Sequence, residues 1–156
     1  MPIHKPAPMI LISACLTGRP CRYDGRRAPI PDLWSMLNGR PWLGVCPEQL
    51  GGLSTPRSPA RLVNGDGADV LAGRARVIDN QDRDVTSAFI QGAEMVLHIA
   101  RRIDAETCFL KDRSPSCGVR PVMDAEGLYR GRGVCAALLA ASGIRIVEVT
   151  AQSTAS

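Results

Sequence analysis

The apolar residues of this chain fall into two kinds of pattern. Four short, nearly continuous runs have the length and β-branched content of strands: MILISA (9–14), WLGVC (42–46), TCFLK (107–111) and IRIVEV (144–149). Two longer stretches repeat with a helical period. In 84–105, Phe89, Ala93, Val96, Leu97 and Ala100 form one stripe, with Asp84 or Thr86 as the N-cap. An Ala/Leu-rich helix in 133–143 ends at Gly143, and a shorter one in 31–39 ends at Gly39. Residues 68–84 and 120–131 read as two small hairpins, the second turning at Asp124–Gly127. Strands that alternate with helices, and that are apolar on both faces, predict an α/β fold: a single domain with a mostly parallel sheet flanked by helices. Residues 1–150 are expected to form that domain and 151–156 a flexible tail.

Composition narrows the class. A chain of 156 residues is long enough for a real core, and 22% charged residues is the ordinary value for a folded domain. No apolar stretch has the length of a membrane helix. The N-terminal segment lacks the apolar run and small-residue cleavage site of a secretory signal, so the expected location is cytoplasmic. Net charge is +4 and is carried mainly by arginine, which suits phosphate. The excess is compatible with an RNA partner without establishing one. Aromatic residues, at 4%, are too few for a base-stacking platform.

The cysteines carry the chemistry. Six are present, at 15, 21, 46, 108, 117 and 135, with no C-x-x-C pair. In a cytoplasmic chain with a full core they point to metal binding, catalysis or burial rather than disulfides. Cys108 and Cys135 sit inside apolar runs and read as core. Cys15 and Cys46 each end or follow a predicted strand, and Cys117 lies just past the third. In open α/β sheets the ligand site lies beyond the carboxyl ends of the strands, so three thiols meet at one pocket there. The plain alternative is three small residues buried in turns. Zinc calls for four protein ligands, or three including histidine, and His4 and His98 are poorly placed for that. A 4Fe-4S cluster ordinarily takes four cysteines, so three leave one iron open. Cys21 is a possible fourth ligand on the residues alone.

Five segments, SACLTGRPCRYDG, CPEQLGGLSTPRSPA, DVTSAFIQGA, LKDRSPSCG and GRGVCAALL, resemble in order the motifs of the thiouracil desulfidase family, whose members include a branch acting on 4-thiouridine in tRNA. The resemblance runs from about Leu11 to Val149. It implies a 4Fe-4S cluster with one iron not ligated by protein, held by Cys15, Cys46 and Cys117. It implies Glu48 and Ser114 as catalytic residues. The implied reaction is non-redox: a thiocarbonyl of uracil becomes a carbonyl and hydrosulfide leaves. Soft sulfur suits iron as a Lewis acid, and Glu48 suits the base that activates water. The implied partner is a thiolated uracil base, nucleotide or tRNA, with no membrane involved.

Tyr23 and Asp24 are candidates for reading the base, Lys111 and Asp112 for lining the pocket, and Arg22, Arg26, Arg27 and Arg113 for meeting phosphate. Taken without the resemblance, Glu48 is a helix-start carboxylate after Pro47, and Ser114 or Ser116 a turn hydroxyl. Two other functions compete with a tRNA desulfidase. One is a desulfidase of free 2- or 4-thiouracil. The other is a non-catalytic RNA-binding module that holds a metal or cluster.

Overall fold

The structure, a computed structural model, describes residues 8–17, 33–111, 115–117, 122–124, 127–129 and 131–149. In chain order the elements are β1 (Ile10–Ser13), a 3-10 turn (Ala14–Thr17), α1 (Leu33–Leu37), β2 (Trp42–Val45) and α2 (Pro47–Leu50). Then come β3 (Ala60–Val63), α3 (Gly67–Leu71), β4 (Arg76–Asp79), α4 (Thr86–Arg102) and β5 (Thr107–Lys111). β6 (Val122–Asp124), β7 (Gly127–Tyr129), α5 (Val134–Ala141) and β8 (Arg145–Val149) complete the fold.

The four apolar runs become one sheet in the order β2-β1-β5-β8, with every pair parallel. The predicted α/β class with a mostly parallel sheet is therefore what forms. Alternation along β1 splits its side chains between two cores. Leu11 packs with Phe89, Val96, Cys108, Leu110 and Leu139 on the side of α4 and α5. Ile10 and Ile12 pack with Leu33, Leu37, Phe109 and Val149 on the other. Ile10, Leu11 and Ile12 are buried from water, each worth about 1.5–3 kcal/mol of hydrophobic stabilisation.

A second sheet, β4-β3-β6-β7, is assembled from segments of the two expected hairpins around β3, a strand outside the sequence reading. Of the expected hairpin in 68–84 only the second half folds back on itself, through an antiparallel bridge between Ile78 and Asp84. Its first half is α3, started by a capping box in which Asp66 accepts from Asp69 N and Asp69 accepts from Asp66 N. Only β4 survives as a strand, antiparallel to β3. The expected hairpin near 120–131 is present as β6 and β7, with Asp124 opposite Gly127.

The long helix begins at Thr86, with Val85 rather than Asp84 or Thr86 at the cap position. The carboxylate of Asp84 still accepts from Thr86 N at 2.9 Å, while Thr86 Oγ1 accepts from Val77 N at 2.9 Å. The predicted stripe is buried at Phe89, Ala93, Val96 and Ala100 and half-buried at Leu97. α1 and α5 are followed by Gly39 and Gly143 at φ +72° and +84°, the left-handed exits expected of them. No helix among the described residues is long and apolar enough to cross a membrane. The 151–156 tail lies outside the described residues.

Candidate active site at the carboxyl edge of the sheet

Parallel strands deliver their carboxyl ends to one edge. Ser13 of β1 lies opposite Val45 of β2, so the chain leaves both strands side by side into Cys15 and Cys46. Cys15 sits in the tight 3-10 turn after β1, and Cys46 at the N-cap position of α2. Cys117 lies in the turn after β5. All three are buried. Cys15 and Cys46 pack into the core on the α1 side of the sheet and Cys117 into the core on the α4–α5 side.

Glu48 lies between the two sides. Pro47 occupies the first position of α2, where its missing N–H is not needed, and the next residue is turned inward. Glu48 is buried, and its Oε2 accepts from the Cys46 thiol at 3.6 Å. Its charge also acts on Cys117. Burial is the main influence that pushes the Cys117 thiol up, Glu48 adds to it, and a hydrogen bond from Ser13 works against both.

Ser13 was not singled out from the sequence, although a lone hydroxyl in an apolar strand is the signal. It is buried, accepts from Lys111 N at 3.0 Å and bonds to Cys117, which links the ends of β1 and β5. Arg57 was also missed: its Nη2 stands 3.8 Å from Glu48 Oε2, a contact made by tertiary folding that sequence spacing does not reveal.

Two close backbone contacts set these parts in place. Gly51 and Gly92 face each other where α2 meets α4, and a Cβ on Gly92 would run into the carbonyl of Pro47. Gly133 lies against the backbone of Ser116, where the turn carrying Cys117 meets α5. There Pro115 O and Ser116 O accept from Val134 N (2.8 Å) and Ala136 N (3.1 Å), donors the first turn of a helix would otherwise leave unmet. Gly92→Ala is expected to destabilise the fold by about 2 kcal/mol, lowering the melting midpoint by about 4–8 °C, although alanine is the better helix former. A calorimetric scan of the metal-free protein measures it.

The other candidates divide clearly. Cys108 and Cys135 are fully buried core thiols, both pushed up chiefly by burial. His98 is exposed on α4 and Lys111 is half-buried at the end of β5. Ser116 is fully buried in the Cys117 turn. Ser114, Cys21, Arg22, Tyr23, Asp24, Arg26, Arg27, Asp112, Arg113 and His4 lie outside the described residues. Among the described residues, no three His, Cys, Asp or Glu side chains stand where they hold a metal ion as placed. In kind, the donor set fits an iron–sulfur group: three soft thiols at one buried edge, with no histidine among them.

Comparison with known proteins agrees with this architecture. Residues 10–150 match the model of the 2-thiouracil desulfurase family. The chain is 40% identical over 145 residues to the uncharacterized protein YbbK of Bacillus subtilis (strain 168), covering 90% of this chain and 95% of that one. It is similar to a solved structure of the [4Fe-4S]-dependent thiouracil desulfidase TudS, with a TM-score of 0.77, 35% identity and 91% of each chain covered. The sheet edge with its three cysteines thus lies within a chain that belongs to the 2-thiouracil desulfurase family.

Proposed function

We propose that this chain, as one unit over residues 1–150, is a 4Fe-4S-dependent desulfidase that replaces the sulfur of a thiolated uracil with oxygen in the cytoplasm. The observation that carries the reading is the placement of Glu48, buried and bonded to the Cys46 thiol at the edge where the parallel strands end. Family membership and the likeness to TudS support it.

Cys15, Cys46 and Cys117 would hold the cluster, leaving one iron without a protein ligand. Bound there, the cluster supplies a Lewis acid matched to a soft thiocarbonyl sulfur. Glu48 takes a proton from the water that adds to the ring carbon, and Ser114 orients that water or relays its proton. The C–S bond then breaks. In sum, C=S and water give C=O, hydrosulfide and a proton, with no change of oxidation state. Burial of Glu48 keeps bulk water from competing for its carboxylate.

The substrate we favour is 4-thiouridine in tRNA, for which the arginine excess is the support. A specific observation favours the free base as a second reading. Arg57, Arg61, Arg74, Arg76 and Arg83 each stand 2.8–3.8 Å from a carboxylate of this chain, so much of the described positive charge is already paired. The test is an anaerobic assay of the reconstituted protein with 4-thiouridine-containing tRNA beside free 4-thiouracil. It follows loss of the thiocarbonyl absorption and release of hydrosulfide. The expected result is turnover of tRNA that falls steeply as salt rises, since several phosphate contacts cost about 10³–10⁵ in affinity between low and moderate salt. Turnover of the free base alone, insensitive to salt, moves the assignment to a small-molecule enzyme. An intact cluster with neither substrate consumed brings forward the cluster-containing RNA-binding module.

A further inference from the structure

Arg57 makes an ion pair unlike others in the fold. Its side chain and that of Glu48 are each 11% exposed, whereas in the pairs of Arg61, Arg74, Arg76 and Arg83 the arginine is 36–67% exposed. Exposed pairs are screened and worth little; a charge pair shielded from water is intolerant of losing one member, because the other charge is left buried and uncompensated. The guanidinium is also held from behind. Nη1 donates to Ser54 O at 3.3 Å and to Thr55 Oγ1 at 3.1 Å, and the same Thr55 oxygen accepts from Gln49 Nε2 at 2.8 Å. The 54–57 turn is thereby tied to α2 on both sides of its contact, through Gln49 and through Glu48.

Two neighbours of the carboxylate meet on one atom. Oε2 accepts from the Cys46 thiol at 3.6 Å and faces Arg57 Nη2 at 3.8 Å. The carboxylate thus stands between a sulfur of the proposed cluster site and a guanidinium anchored from behind. The guanidinium is the opposite charge already in position against that same oxygen.

We propose that Arg57 is the positioning residue of the site: its guanidinium holds the Glu48 carboxylate beside the three thiols once the metal group is bound, and balances the negative charge gathered there. The proposal rests on the desulfidase reading for the role of Glu48. It does not make Arg57 a contact of the substrate, nor one of the arginines available to phosphate.

The experiment compares anaerobically reconstituted wild type, Arg57→Gln, Arg57→Lys, Glu48→Gln and the double variant Arg57→Gln/Glu48→Gln. Iron loss to a ferrous chelator is followed optically, and melting of the metal-free proteins controls for folding. Arg57→Gln is expected to release iron about 3–10 times faster, and Arg57→Lys within about twofold of wild type, as befits a charge that any nearby cation restores in part. The double variant is expected to release iron no faster than Glu48→Gln, because with no carboxylate to balance the guanidinium has nothing to do. Per loaded cluster, Arg57→Gln is expected to lower kcat about 10–100-fold with KM within about twofold, and to add no further loss to Glu48→Gln. Arg57→Gln that holds iron and turns over like wild type overturns the proposal, as does a double variant in which the two losses simply add. If the wild type keeps its cluster but leaves every thiouracil untouched, the desulfidase reading falls, and the iron-release comparison still decides the part played by Arg57.

Discussion

Alanine at Cys15, Cys46 or Cys117 is expected to give a folded protein that retains no cluster and has no measurable desulfidase activity. Each of these thiols stands at the carboxyl edge of the parallel sheet, and a three-thiol set has no spare member. The loss should exceed the about 10–100-fold that removing a mere supporting partner of a metal site costs. Cys108→Ala and Cys135→Ala are the internal controls. Both thiols are buried in the core on the α4–α5 side, so their loss should cost about 1 kcal/mol of packing and leave the cluster in place. Iron and sulfide per chain after anaerobic reconstitution, together with the visible absorption, read out all five variants. A fully active Cys46→Ala protein would sink the assignment.

Glu48→Gln is expected to do the reverse: iron content unchanged, turnover reduced by about 10²–10⁴-fold. Glutamine keeps the shape of the side chain and its place on α2, and cannot take a proton from water. The variant thus separates binding of the metal group from the chemical step. Normal turnover would place the base elsewhere, and loss of iron would make Glu48 a structural partner of Cys46. Single-turnover kinetics on protein of equal iron content measures the difference.

Most of what positions the site was readable from the chain. β1 and β5, at the centre of the sheet, are buried along most of their length, and the edge strands β2 and β8 are partly covered, so all four read as mainly apolar runs. Once those runs are recognised as parallel strands, the places of Cys15, Cys46 and Cys117 at one edge follow from topology. The second sheet was harder to see. β3, with the sequence ARLV, has one fully buried side chain, Leu62, and follows a loop rich in Pro, Ser and Gly. α3 lies in the segment expected as half of a hairpin; its start is fixed by the Asp66–Asp69 capping box, a helix signal just ahead of that segment. Within the site, Glu48 was reached through the motif around Cys46. Ser13 and Arg57 were not reached, because each acts across a distance in sequence that only the folded chain closes. Ser13 meets Lys111 across two strands, and Arg57 returns to α2 through the turn at 54–57.

The division of the three thiols between two cores bears on the life of the protein in the cell. Cys15 and Cys46 belong to one hydrophobic body and Cys117 to the other, with the sheet between them. A group bound by all three would join the two cores at the edge of the sheet, and binding that selects the folded state adds about 2.7 kcal/mol when the free ligand stands at a hundred times its dissociation constant. That is a large share of the margin by which a domain of this size stays folded. If the three thiols hold a cluster as proposed, the loaded chain is expected to resist proteolysis better than the empty one, which limited digestion of the two forms measures.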